Sequence, residues 1–247
     1  MSSSEPSRAR ISGKSHSIRY DQTQAFFDTR ADKASNDPLT ATMYQDATLA
    51  TRRDEFEKQT VLPLLHPRAN DRVLDLGCGA GRWARALAPV VDRYLGIDFS
   101  QKLLDAAAHH NPGVSFQCMR VDALDVSAFK VPPPFTVVLC SGIFAYINDA
   151  DLTQLFAKIS QIAAPASRVY VREPVAKVAR LTLDEYWSEE LQSAYSVIYR
   201  TRDEYLAMFQ ALSGFHVVAE TAPFPAELQN RAETEQHCFV LERLAEL

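Results

Sequence analysis

Val73 to Trp83 reads VLDLGCGAGRW, a run of strand-forming residues that breaks into a glycine-rich turn and then into a helical pattern. This passage constrains the fold more tightly than any other. Glycines let the main chain turn sharply and approach a ligand closely. A helix that opens there presents unpaired N–H groups and the positive end of its dipole. RVLDL (72–76) leads into the turn, and four further β-rich runs follow: RYLGI (93–97), VSFQC (114–118), FTVVLC (135–140) and RVYVRE (168–173). Runs of this kind are expected of strands covered by helices on both faces.

Helical patterns separate the runs. Gly81 to Pro89 opens after the turn, Ser100 can cap residues 101–110, and Leu152, Leu155, Phe156, Ile159 and Ile162 form an apolar stripe that Pro165 stops. Alternating strand and helix units predict an α/β fold: a doubly wound, mostly parallel sheet with helices on both faces. FHVVAE (215–220) and QHCFVLE (236–242) read as strands without a strong helix between them, so one of the two is expected to run antiparallel. Two T-x-x-E sequences, Thr182 with Glu185 and Thr201 with Glu204, read as capping boxes that open helices.

Residues 1–66 are expected to form an N-terminal arm and helical lid. Residues 1–19 are rich in Ser and Arg with Glu5 as the only acid, the composition of a solvated tail. The other reading is an arm that folds over a ligand. From Thr40 to Leu65 the spacing predicts one long or broken helix, with Met43, Ala47 and Ala50 on one face and Pro63 opening a final short turn. Residues 67–247 form the main domain, with a lid insertion at about 174–200.

Composition narrows the function. The chain has 247 residues, 47% hydrophobic and 23% charged, which suits one or two globular domains and excludes disordered and collagen-like classes. A net charge of −5 argues against a dedicated nucleic-acid binder. Four scattered cysteines without a C-x-x-C pair suggest no zinc site and suit a reducing compartment. The N-terminus lacks the apolar core of a signal peptide, and no run approaches the ~18 apolar residues of a membrane span. The expectation is a cytoplasmic monomer or homodimer with a small-molecule substrate, no bound metal, and no nucleic-acid or membrane partner.

The glycine spacing discriminates between ligands. A dinucleotide fingerprint is G-x-G-x-x-G, whereas Gly77, Gly79 and Gly81 follow G-x-G-x-G and Arg82 stands where the third glycine belongs. Asp75, two residues before Gly77, can bind an ammonium group but would repel a pyrophosphate. Asp98 ends the second strand, the usual place for an acid that holds both ribose hydroxyls. Asp122 follows the third strand and can accept from an adenine amine. Together these three acids and the turn fit S-adenosylmethionine.

In this combination the chain resembles the class I S-adenosylmethionine-dependent methyltransferases from about Tyr20 to Phe239, and within them the bacterial small-molecule enzymes, many from specialised metabolism. The resemblance implies a seven-stranded sheet with an antiparallel last strand. It also implies cofactor contacts at Asp75, Gly77, Cys78, Gly79 and Gly81, at Asp98, Phe99 and Ser100, at Asp122 and Ala123, and at Ser141 after the fourth strand, with S-adenosylhomocysteine as product. Cys78 is a small packing residue of the turn. The Asn/Asp-Pro-Pro-aromatic motif of nucleic-acid amino-methyltransferases is replaced by Cys140-Ser141-Gly142-Ile143-Phe144.

The acceptor is read as N or O, with S left open. Tyr146 and Glu173 are the candidate catalytic groups, a base being needed only where the nucleophile is protonated at neutral pH. Tyr20, Tyr44, Phe144, Arg172, Tyr199 and Arg200 are the candidate substrate contacts. Aromatic faces beside acids suit a cationic or amine acceptor, whereas Arg172 or Arg200 would suit a carboxylate. Two alternatives stay open: methylation of a protein side chain or terminus, and a non-catalytic S-adenosylmethionine-binding regulator.

Overall fold

The computed structural model describes residues 9–34, 39, 46–189, 191–229 and 231–244, with the backbone alone at 33 and 34. In chain order the elements are β1 (Ala9–Ser12), α1 (Tyr20–Ala34), α2 (Ala47–Leu65), β2 (Arg72–Leu76), α3 (Arg82–Leu87), β3 (Arg93–Asp98), α4 (Gln101–His110), β4 (Ser115–Cys118), β5 (Phe135–Ser141), α5 (Asp149–Ile162), β6 (Ala163–Ala176), β7 (Leu181–Ser188), β8 (Ser193–Tyr199), α6 (Arg202–Met208), β9 (Phe215–Thr221) and β10 (Thr234–Arg243).

Seven strands form one sheet in the order β4-β3-β2-β5-β6-β10-β9. The pairs from β4 through β6 are parallel, and β10 runs antiparallel to both β6 and β9. Successive residues of a strand point to opposite faces, and here both faces are covered. Leu74, Leu76, Leu95, Ile97, Val138 and Val169 pack with Phe156 and Ile159 of α5 on one side. Val73, Val137, Leu139 and Tyr170 pack with Val61 of α2, Trp83 and Leu87 of α3 and Leu104 of α4 on the other. Two-sided burial is why these strands read as unbroken apolar runs.

The segment after β6 departs from the expected helix. β7 and β8 form an antiparallel hairpin, which β1 joins as a third strand opposite β7. Thr182 is the second residue of β7, opposite Ile198 on one side and Ile11 on the other, and opens no helix. LTLDEYW and SAYSVIY are rich in β-branched and aromatic residues that favour a pleated surface. A four-residue capping signal does not outweigh a whole ladder. Glu185 instead marks a register break, with φ of 49° and its N–H bonded to Ser196 Oγ at 2.9 Å. The other capping box is present: Thr201 Oγ1 accepts from Glu204 N–H, and the Glu204 carboxylate accepts from Thr201 N–H at 2.7 Å.

The amino-terminal segment also differs from a solvated tail, because residues 9–12 are the strand β1. Helix α2 starts at Ala47, where Asp46 accepts from the N–H groups of Thr48 and Leu49, and it runs through Pro63 to Leu65 without a separate final turn. Met43 and Tyr44 lie outside the described residues. Among the described residues no helix is long and apolar enough to cross a membrane.

Candidate functional site

A cavity of ≈ 200 Å³ opens at the carboxyl ends of β2, β3 and β5. Its inner half is made by the turn after β2 and the end of β3. The N–H groups of Gly77 and Cys78 both donate to the carbonyl of Ile97, at 2.8 and 3.0 Å, which ties the turn to β3. Gly77 has φ of +72°, and a Cβ there would meet Ile143 Cδ1 at 2.4 Å. Only glycine fits both restrictions. Gly79 has φ of +53° with nothing within 4 Å of an added Cβ, so its backbone faces open cavity.

Asp98 lies beside this turn. One carboxylate oxygen accepts from Gly79 N–H at 3.0 Å and the other from Ser100 N–H at 2.9 Å. A carboxylate offers about four lone-pair directions, so Asp98 keeps capacity for two more donors. Burial pushes its acid up to about 6, against the pull of those backbone N–H groups. Phe99, Leu103 and Phe27 supply the apolar wall, with Phe27 and Phe99 edge-on at 5.9 Å.

Under the turn lies a buried polar network. Arg82 donates to Asp54 at 2.9 Å, to Glu57 at 2.8 Å and to Ser141 Oγ at 2.6 Å. Tyr170 donates to the same Glu57 oxygen at 2.6 Å, and Arg172 Nε lies 3.5 Å from it. Burial alone would raise the Glu57 acid, but Arg82 and Arg172 overturn that and hold it down at about 2. Glu57 therefore stays charged, and its role is to aim two guanidiniums.

The outer half is lined by Tyr146, Arg172, Pro174, Tyr199, Arg231, Thr234 and Gln236. Tyr146 packs edge-on against Phe27 at 5.1 Å. Arg172 Nε donates to Ser141 Oγ at 3.2 Å and Nη1 to Gln236 Oε1 at 3.0 Å. Burial raises the phenol of Tyr199 well above its ordinary value, and the hydroxyl of Tyr195 lies 3.5 Å from it.

Of the residues singled out from sequence, Gly77, Cys78, Gly79, Asp98, Phe99, Ser141, Tyr146, Arg172 and Tyr199 line this one cavity. Others are nearby without lining it. Asp75 is buried beneath the turn with Tyr94 Oη as donor, and burial pushes its acid up to about 7, so no ammonium acceptor faces the cavity there. Gly81 begins α3 at φ of +78°, and Ser100 caps α4 while donating to Asp28. Asp122 pairs with Arg120 at 2.8 Å, and Ala123 shares its short 3-10 turn.

Four assignments to the acceptor pocket are corrected by the geometry. Arg200 is fully buried and donates to the carbonyls of Phe144 and Ile147 and to Asp149, at 2.6–2.9 Å. Phe144 is fully buried against Phe156, with ring centroids 5.1 Å apart. Tyr20 donates to Asp151 and accepts from Asn148 N–H, turned toward α5. Glu173 is fully buried and accepts from the N–H groups of Ile143, Phe144 and Ala145 at 2.7–3.1 Å. Burial pushes its acid up to about 7, but it clamps the 143–145 turn and faces no acceptor. Tyr44 lies outside the described residues.

Sequence reading missed Glu57, Arg231, Thr234 and Gln236. For Glu57 a signal existed: Ala50, Arg53, Glu57, Val61 and Leu65 are the buried stripe of α2, at helical spacing. Two charged residues on an apolar stripe imply buried partners. Arg231, Thr234 and Gln236 carry no local signal, because pairing of β10 with β6 brings them to the cavity.

A family model described as a methyltransferase domain matches residues 73–166. Ubiquinone biosynthesis O-methyltransferase of Thiobacillus denitrificans is 34% identical over 106 residues, 42% of this chain and 44% of that protein. Phosphoethanolamine N-methyltransferase 1 of Triticum aestivum is 25% identical over 125 residues, 49% of this chain and 24% of that protein. The chain thus spans about half or less of the length of these curated relatives. Among solved structures, phosphoethanolamine N-methyltransferase 1 of Haemonchus contortus, in complex with phosphoethanolamine and S-adenosylhomocysteine, superposes with a TM-score of 0.69 at 16% identity, over 93% of this chain and 51% of that one. The DhpI complex with S-adenosylhomocysteine gives 0.64 at 15% identity, over 92% and 97%. Residues 73–166 thus match a methyltransferase domain, and the sheet that carries them has the fold of these solved methyltransferases.

Proposed function

We propose that this chain transfers the methyl group of S-adenosylmethionine to N or O of a small molecule. The observation that carries the reading is Asp98, a carboxylate on the cavity wall that spends one hydrogen bond per oxygen on the backbone and keeps one per oxygen for a ligand. A vicinal diol is the ribose group that matches two adjacent acceptors. The open backbone at Gly79 gives the cofactor room. Phe99 offers a face for an adenine ring, and Ser141 with the two guanidiniums behind it lies at the methionine end.

The bound cofactor supplies an electrophilic methyl on a sulfonium, whose leaving group departs neutral. The chain's own part is to position the acceptor and exclude water. Phe27 from α1 and Tyr199 from β8 stand over the cavity, so residues 20–34 and the β7–β8 hairpin form the lid in this reading. Tyr146 is a polar group of the cavity wall that can orient an acceptor or hold its proton. Arg82 fills the position where a dinucleotide fold needs glycine, and its guanidinium is already engaged by Asp54 and Glu57, which disfavours NAD(H).

Calorimetric titration with S-adenosylhomocysteine tests the proposal. Each hydrogen bond to a charged acceptor contributes on the order of 1.5–3 kcal/mol, so Asp98→Ala should weaken binding at least about tenfold. Unchanged affinity would remove Asp98 from the cofactor site, and tighter binding of NAD(H) would overturn the class.

A further inference from the structure

The turn that carries Tyr146 is held from two sides by buried charges. Residues 144–146 are a single 3-10 turn between β5 and α5, with bonds of its own from Tyr146 N–H to the Ile143 carbonyl and from Ile147 N–H to the Phe144 carbonyl. The hydrogen-bond geometry of so tight a turn is poor, and outside contacts fix its place. Glu173 takes the N–H groups of Ile143, Phe144 and Ala145. Arg200 takes the carbonyls: Nη1 donates to Phe144 at 2.7 Å and Nη2 to Ile147 at 2.6 Å, on either side of Tyr146 in the chain. The rest of the guanidinium goes to Asp149, the first residue of α5, from Nε at 2.9 Å and Nη2 at 2.7 Å. The backbone of Arg200 is fixed as well, since its carbonyl accepts from Ala176 N–H at 2.8 Å. The residue before it is Tyr199, which lines the cavity as Tyr146 does.

Asp149 collects more than Arg200. Arg180, just before β7, donates to it at 2.9 Å and Ser15 Oγ at 3.2 Å. Burial alone would raise the Asp149 acid, but Arg180 and Arg200 overturn that and hold it below its ordinary value. Next to it, the Asn148 side chain bonds both main-chain groups of Ile18, at 2.8 and 3.1 Å, and Asn148 N–H donates to Tyr20 Oη at 3.0 Å, at the head of α1. The start of α5 is thus the point from which the segments carrying Phe27, Tyr146 and Tyr199 are all held.

We propose that Arg200 is a positioning residue of the acceptor site: it fixes the phenols of Tyr146 and Tyr199 relative to each other by bonding the turn that carries the first while standing next to the second in the chain. This rests on the methyltransferase reading above and names a residue that acts in it without touching acceptor or cofactor. In-line transfer depends on how the acceptor is placed, and a small misplacement costs rate. Tyr146 follows a strand of the seven-stranded sheet and Tyr199 ends a strand of the three-stranded one, so pairing within either sheet does not set their spacing. The planar guanidinium does, because its N–H directions form a rigid fork. A lysine could keep the ion pair with Asp149, but as a point charge on a flexible stem it would not span both carbonyls.

The experiment labels the full chain with 3-fluorotyrosine, saturates it with S-adenosylhomocysteine and reads the fluorine resonances of Tyr146 and Tyr199, assigned by Tyr146→Phe and Tyr199→Phe. Calorimetry on the unsubstituted chain comes first. No binding of S-adenosylhomocysteine there would sink the methyltransferase reading, and this proposal with it, whatever the resonances do. With it bound, Arg200→Lys should shift or broaden both resonances and leave those of Tyr94 and Tyr170, buried beneath the inner half, in place. Its affinity for S-adenosylhomocysteine should stay within about twofold, because Arg200 does not line the cavity. Tyr199 neighbours the substitution and would feel it in any case, so Tyr146 decides. A merely structural arginine would lower the urea midpoint and leave Tyr146 unmoved in the folded protein. Where Arg200→Lys does not fold, Asp149→Asn keeps the arginine and removes the charge that orients it; there Tyr199, distant in the chain, decides. An unmoved Tyr146 in folded Arg200→Lys, or an unmoved Tyr199 in Asp149→Asn, would overturn the proposal, as would equal displacement of Tyr94 and Tyr170.

Discussion

The two halves of the cavity are built by different rules. The inner half comes from strand ends that are neighbours in the central sheet, so a glycine turn, Asp98 and Ser141 converge once β2, β3 and β5 pair in parallel. The outer half is gathered from the turn after β5, the end of β6, the end of β8 and the start of β10. Parallel pairing fixes the first by backbone geometry. The second depends on side-chain networks and on a separate three-stranded sheet, and is the half free to differ in specificity. Ligands of open α/β sheets sit at the carboxyl ends of the strands, which is why a shared fold speaks to the cofactor and not to the acceptor.

Breaking the element common to both halves should have the largest effect. Glu57→Ala removes the carboxylate that holds Arg82, Tyr170 and, at 3.5 Å, Arg172. A buried charge stripped of its partner costs about 3–5 kcal/mol, to be read as a lower urea midpoint at unchanged slope. Should Glu57→Ala leave stability intact, the network is not what joins the halves. Gly77→Ala confines damage to the inner half. The left-handed backbone costs a Cβ-bearing residue about 1–2 kcal/mol, and overpacking against Ile143 adds about 1–3 kcal/mol. Cofactor affinity, read by calorimetric titration with S-adenosylhomocysteine, should fall with it; unchanged affinity would remove the Gly77 turn from the cofactor site.

Glu173 probes the hinge between the halves, because its three N–H bonds shape the turn carrying Ile143 inward and Tyr146 outward. Burial places its folded acid at about 7, above the ordinary carboxylate range. The folded chain then binds more protons than the unfolded one between about pH 4.5 and 7. That contribution to stability is complete below the unfolded value and is lost as pH rises through about 7. The slope per group is at most about 1.4 kcal/mol per pH unit. Asp75, held at about 7, and Asp98, at about 6, act in the same direction. Glu173→Gln should reduce the fall in stability from pH 5 to 7 without abolishing it, measured by urea midpoints at each pH. An unchanged slope would mean that Glu173 is ionised throughout.

What was legible in the sequence follows the same division. The central sheet could be read because its strands carry apolar runs flanked by turn or cap residues, so local pattern and global placement agree. The strand ends that line the inner cavity, with Gly77, Asp98 and Ser141, could be placed with it. Arg200 and Glu173 were misassigned to ligand contact because a charged residue at a strand end reads the same whether it faces a cavity or holds backbone. Their buried carbonyl and N–H partners come from a distant loop. The β7–β8 hairpin was hidden by the Thr182–Glu185 spacing, and β1 by a composition that suits a tail. Both became strands only through pairing with each other.

That pairing sets the smallest effect. β1 lies opposite β7 from Ala9 to Ser12, and Arg10 on that strand forms an ion pair with Glu233 at the edge of β10, with side chains 42% and 54% exposed. An exposed ion pair contributes about 0–1 kcal/mol, because water screens it and two long side chains must be ordered. If the backbone ladder holds β1 in place, Arg10→Ala should shift the urea midpoint barely above error and leave amide exchange of residues 9–12 as slow as before. The ladder residues Ile11 and Leu183 would carry the strand instead, with Ile11 half-buried and Leu183 buried. Raised exchange across β1 in Arg10→Ala, with β7 and β8 unchanged, would show the reverse: that the ion pair to Glu233 beside β10 holds the strand in place, and that salt alone can release it.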